Sequence, residues 1–70
     1  MKYLVIYEKT KTGYSAYSPD VPGCIAAGFS REETERLIKE ALAFHIEGMR
    51  QEGLQIPVPF SHSDYLDIAA

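Results

Sequence analysis

The chain opens on an apolar run. "KYLVIYE" (Lys2 to Glu8) is β-branched and aromatic, and it is too short for a helix to be preferred. Tyr3, Val5 and Tyr7 point to one side and Leu4 and Ile6 to the other, so both faces of this strand are apolar. Such strands are normally covered on both sides. The polar "KTKTG" (Lys9 to Gly13) reads as a hairpin loop, and "YSAYS" (Tyr14 to Ser18) as the returning strand. "PDVPG" (Pro19 to Gly23) then interrupts the ladder. Each proline lacks an N–H and fixes its own φ, and each biases the residue before it toward extended geometry. Gly23 accepts a positive φ at no steric cost, and Asp20 is suited to bonding nearby amides. The segment predicts a rigid corner, followed by a third short strand, "CIAAGF" (Cys24 to Phe29).

The strongest periodic signal comes next. Ser30 and Glu33 form an S-x-x-E capping box, with Phe29 and Thr34 at the hydrophobic-staple positions. Arg31, Glu32, Glu33 and Glu35 make the first turns mostly acidic, which suits the positive end of a helix dipole. Leu37, Ile38, Ala41, Leu42, His45 and Met49 recur at helical spacing and form one stripe. Glu35 and Lys39 are spaced for a favourable i,i+4 pair. Gly53 is the expected stop. A helix of about 22 residues would run roughly 33 Å, enough to cross three or four strands.

"LQIPVPFSHS" (Leu54 to Ser63) carries Pro57 and Pro59 and reads as an extended connection; "YLDIA" (Tyr65 to Ala69) reads as a short closing strand. The expected fold is therefore α+β, with order β-β-β-α-β: a small, mainly antiparallel sheet with one long helix on one face. Residues 1–70 are expected to form a single domain.

One helix covers one face, so an apolar face is left over. With Lys9–Thr12 as the loop, Tyr7 falls opposite Tyr14, Val5 opposite Ala16 and Tyr3 opposite Ser18. Three tyrosines then cluster on one side, with Leu4, Ile6 and Tyr17 on the other. Periodicity does not decide which side meets the helix. Tyr3, Val5, Tyr7, Tyr14 and Tyr17 are the expected interaction surface, since exposed apolar patches usually mark protein contacts.

Composition sharpens this expectation. A chain of 70 residues buries a thin core, and its one cysteine forbids an internal disulfide. Self-association, as a dimer or tetramer, is the expected compensation. The net charge of −3 argues against direct nucleic-acid binding and favours a basic protein partner. No apolar run approaches a membrane span and the N-terminus lacks a leader pattern, so a soluble, cytoplasmic protein is expected.

Catalytic readings are outweighed by plainer ones. Cys24 has no helix start or cation beside it to activate a thiol, and reads as a small packed residue. His45 falls on the apolar stripe and reads as partly buried. "SHSD" (Ser61 to Asp64) puts triad residue types side by side, whereas triads are assembled in space. Glu8, Asp20, Asp64 and Asp67 lack a metal-ligand spacing. No cofactor is expected.

The Gly13–Cys24 stretch "GYSAYSPDVPGC", the A-x-x-x-H-x-E-G-M pattern of Ala41–Met49 and "EGLQIPVP" (Glu52 to Pro59) together resemble the HicB-like antitoxin family. The resemblance covers nearly the whole chain. It implies a partial ribonuclease H-like sheet without nuclease carboxylates. It also implies a partner: a HicA-type toxin, a small basic ribonuclease that cleaves messenger RNA using a histidine. Pro19, Asp20, Pro22, Gly23 and Cys24 are then a structural corner rather than catalytic residues. Family members often carry a C-terminal DNA-binding region, and this chain ends at Ala70, so operator binding is not expected of it. Two other readings differ in class. One is an orphan domain of structural or ligand-binding role. The other is a vestigial nuclease using Glu8 and Asp67 with a divalent metal.

Overall fold

The computed structural model describes residues 1–70 and holds four elements: β1 (Ile6–Lys9), β2 (Tyr14–Tyr17), β3 (Ile25–Gly28) and α1 (Arg31–Gln51). The strands form one antiparallel sheet in the order β1-β2-β3. This is the expected α+β arrangement of three strands and one long helix. The expected closing strand at Tyr65–Ala69 is not formed. Leu54 is the last residue to take part in a backbone–backbone hydrogen bond, so the rest of the C-terminal segment is extended and outside the sheet.

The β1–β2 register differs from expectation by two residues. Lys9 lies opposite Tyr14 and Tyr7 opposite Ala16. The cause is the turn: the Thr10 amide donates to the Gly13 carbonyl at 2.8 Å, and the Gly13 amide to Thr10 Oγ1 at 3.0 Å. This closes a loop of Thr10–Gly13, and Lys9 joins the strand. A two-residue shift preserves which side chains share a face, because the strand period is two.

The Pro19–Gly23 corner is two linked β-turns. The Val21 amide donates to the Ser18 carbonyl at 3.3 Å, and the Cys24 amide to the Val21 carbonyl at 3.2 Å. Pro19 and Pro22 each occupy the second turn position, where φ near −65° is required. Gly23 follows at φ +83°, the conformation a type II turn demands of its third residue.

Ser30 caps α1, its Oγ accepting from the Glu33 amide at 3.0 Å. Glu33 reaches back one residue further than a standard capping box, with Oε1 accepting from the Phe29 amide at 2.6 Å. The expected staple does not form. Phe29 is 83% exposed, while Thr34 is fully buried and donates its hydroxyl to the Ser30 carbonyl at 2.8 Å. The C-terminus is a Schellman motif. The Leu54 amide donates to Met49 O at 2.9 Å and the Gly53 amide to Arg50 O at 3.2 Å, with Gly53 at φ +73°. Glu35 pairs with Arg31 at 3.0 Å, not with Lys39.

Helix α1 packs on β3 and β2. Ala16, Val21, Cys24 and Ile38 are the buried hydrophobic side chains, with Tyr3, Val5, Ala41, Leu42 and Ile46 among the half-buried groups around them. The buried stripe follows Thr34, Ile38, Leu42 and Ile46, each four residues apart. Ile46 takes the place expected for His45, which is exposed. A core of four hydrophobic side chains is thin for a folded domain, and it leaves much of the apolar surface uncovered.

Candidate protein-interaction surface

Strand pairing fixes two faces. One face carries the rows Tyr7–Ala16–Ala26 and Lys9–Tyr14–Gly28, and the other carries Ile6–Tyr17–Ile25 and Glu8–Ser15–Ala27. The helix covers the first. Tyr3, Val5 and Tyr7 therefore pack toward the core rather than presenting an open surface. Arg31, in the first helical turn, completes the cover with its guanidinium 4.1 Å from the Tyr7 ring centroid. Tyr14 shares this face and is half-buried, with the Lys9 ammonium 4.9 Å from its ring centroid. Four of the five residues expected to form an interaction surface thus lie on the covered side. Ala16, fully buried, and Ala26, half-buried, sit in the middle of that side within the core.

Tyr17 is the fifth, and it lies on the open side. There Ile6, Tyr17 and Ile25 make a row across all three strands. Ile25 is 68% exposed. Ile6 is half-buried, and Ser63–Tyr65 line a cleft beside it. Alternation in the sequence puts Ile6 and Tyr17 on one side, but it neither adds Ile25 to them nor decides which side the helix takes.

The corner does more than join strands. Asp20 is buried and accepts three hydrogen bonds from the C-terminal segment: from the Phe60 amide at 3.1 Å, the Ser61 amide at 2.9 Å and Ser61 Oγ at 2.6 Å. The Ser61 hydroxyl, followed by the Ser61 and Phe60 amides, holds the Asp20 carboxyl below the usual aspartate range against the opposing effect of burial. The Tyr3 hydroxyl makes a second tie, donating to the Pro57 carbonyl. The expectation for Asp20 was a bond to nearby amides. Its partners are some 40 residues away in sequence, which local spacing does not reveal.

The nucleophile and ligand candidates are placed apart from one another. Cys24 is buried, and burial pushes its thiol up from the ordinary value. Ser61 is engaged by Asp20, while His62 and Asp64 are exposed. Glu8 and Asp67 are both exposed, and no three His, Cys, Asp or Glu side chains gather closely enough to hold a metal ion. Phe44, on the outer face of α1, is 84% exposed. No helix is long and apolar enough to cross a membrane.

Comparison with known proteins accords with this architecture. Residues 3–68 match the family model for the HicB-like antitoxin of bacterial toxin–antitoxin systems. An uncharacterized 14.9 kDa protein of the rep-hol intergenic region of Haemophilus phage HP1 is 44% identical over 57 residues, 81% of this chain and 43% of the phage protein. A UPF0150 protein of Thermoplasma acidophilum is 38% identical over 58 residues, covering 81% of this chain and 84% of the relative. Antitoxin HicB 2 of Photorhabdus laumondii is 30% identical over 59 residues, 84% of this chain and 42% of that antitoxin. The chain thus spans less than half the length of the phage protein and of the Photorhabdus antitoxin. Among solved structures, a chain of the HicA3 and HicB3 toxin–antitoxin complex superposes with a TM-score of 0.72 at 35% identity, covering 86% of this chain and 70% of that one. The family model spans nearly the whole sequence, and the chain belongs to the HicB-like antitoxin family.

Proposed function

We propose that this chain is a non-enzymatic antitoxin that binds a small, basic HicA-type ribonuclease and covers its active surface, so that messenger RNA is spared. The observation that carries the reading is the uncovered Ile6–Tyr17–Ile25 row on the face opposite the helix. An apolar row with polar neighbours matches the anatomy of a protein contact, an apolar centre with a polar rim. The net charge of −3 complements a basic partner and would speed the encounter. The solved relative in a HicA3 and HicB3 complex supports a partner of this kind. The same thin core supports self-association into a dimer or tetramer. A toxin acting on messenger RNA would be met in the cytoplasm.

The test is co-expression with the small basic protein encoded beside this gene. A stoichiometric complex on co-purification, together with rescue of growth from that protein's toxicity, supports the reading. A neighbour that is harmless alone, or that fails to co-purify, overturns it.

A further inference from the structure

The two outer edges of the sheet differ. Beside β1, the chain's own Ser63–Tyr65 line a cleft with Leu4–Tyr7. β3 is the other edge strand, and no element pairs with its outer side. Strand edges in soluble proteins are usually guarded by charge or by proline. β1 carries Glu8 and Lys9, whereas Ile25–Gly28 holds no charged residue and no proline. Ile25 and Ala27 are exposed on β3 itself, and Phe29, directly after it, is 83% exposed.

A cleft of about 280 Å³ adjoins this unguarded edge. It is lined by Ala27, Gly28 and Phe29 on the strand side, by Glu33 and Leu37 of α1, and by Thr12 of the hairpin loop. Leu37 is half-buried, so part of its side chain is left open. Glu33 sets the charge. A Cβ at Gly28 would stand 2.8 Å from Glu33 Oε1, so glycine at this position lets the carboxylate lie against the strand. Glu35, Glu40 and Glu47 each pair with an arginine. Glu33 is half-buried and has no cationic partner; Oε1 accepts from the Phe29 amide, and its other oxygen is unbonded.

We infer that the outer edge of β3 receives an extended segment of the basic partner, which adds as a fourth strand, seats an apolar side chain in the cleft and brings a lysine or arginine to Glu33. This rests on the reading above and names where on the sheet the partner attaches. Strand addition takes its affinity from main-chain bonds and its specificity from side-chain pockets beside the edge. Ile25 belongs both to the open row and to this edge strand, so a partner seated on the row meets the edge without a break. The chain's own C-terminal segment does not compete, since its Ser63–Tyr65 stretch lies at the opposite edge. Charge separates the remaining occupants: a second copy brings another net −3, and a basic chain brings the opposite sign.

Amide hydrogen exchange, read by NMR on the free chain and on its complex with the proposed HicA-type partner, tests this, together with binding by the Phe29→Asp variant. Alternate amides of Ile25–Gly28 point away from β2 and should exchange freely in the free chain. In the complex they should slow by about tenfold or more. Phe29 is exposed, so Phe29→Asp should keep the native Tm while weakening binding about tenfold or more. A complex in which the outward β3 amides exchange as fast as in the free chain overturns the added strand and leaves the antitoxin reading in place. Protection of those amides that rises with the concentration of the free chain gives the edge to a second copy, and overturns it too. Absence of any complex overturns both.

Discussion

Asp20 and Ser61 are joined by two hydrogen bonds, from the Ser61 amide at 2.9 Å and its hydroxyl at 2.6 Å, across most of the chain's length. With the Phe60 amide, they let one carboxylate in the corner after β2 fix the course of the C-terminal segment. Replacing Asp20 with Ala should release Phe60 and Ser61 while leaving the Tyr3–Pro57 tie and α1 in place. Amide hydrogen exchange at Phe60 and Ser61 should rise to the rate of an unprotected chain, with helical circular dichroism unchanged. Retained protection at both amides would contradict this account.

The same bonds impose a pH dependence. Asp20 titrates below its ordinary value of about 3.9 when folded. Its contribution to stability is therefore fully present above that value and is lost as pH falls toward the lower folded value. Asp20→Asn should therefore flatten the fall in stability that the native chain shows as pH drops below about 4. Urea titrations at fixed pH values check this, and parallel curves for the two proteins would refute it.

Ser30 carries the start of the helix. Ser30→Ala removes the acceptor for the Glu33 amide and should cost about 1 kcal/mol. For a domain of this size that lowers Tm by about 4–8 °C. The exposed Arg31–Glu35, Arg36–Glu40 and Glu47–Arg50 pairs should contribute a few tenths each.

Ile38 and Phe44 stand on opposite sides of α1, at 2% and 84% exposure. Ile38→Ala should cost about 2–5 kcal/mol, because it opens a cavity among so few buried side chains. Phe44→Ala should leave Tm within about 2 °C, as surface changes usually do. Equal losses from the two would mean that the outer helix face is covered in solution.

Cys24 should be inert while the chain is folded. Burial raises its thiol above the ordinary value, so the thiolate that reacts is scarce and shielded. An aromatic disulfide reagent should label it only in denaturant. Stability should also decline as pH rises past about 8.5, because the unfolded thiol then ionises before the folded one. Prompt labelling of the native chain would show the corner to be open.

What could be read from sequence alone was what is local. Pro19, Pro22 and Gly23 announce the two turns, Ser30 and Glu33 the helix start, and Gly53 its end, because each acts within four residues of itself. The division of side chains between two faces was legible too, since it depends only on alternation. The register was not: the Thr10 side chain tightens the hairpin and draws Lys9 into β1. Nor was the choice of covered face, which is settled only when α1 packs on β2 and β3. His45 and Ile46 are neighbours in sequence and about 100° apart around the helix, and only packing against the sheet decides which of them is covered. The Asp20–Ser61 bonds lie beyond any spacing rule.

The central claim is that a protein partner finishes the open side of the sheet. Titration calorimetry of the chain with the HicA-type protein proposed as its partner, native against Ile25→Asp, tests it most directly. The account predicts stoichiometric binding that the substitution weakens by about tenfold or more, with an unchanged Tm for the free chain. Binding of equal strength by both proteins would contradict it.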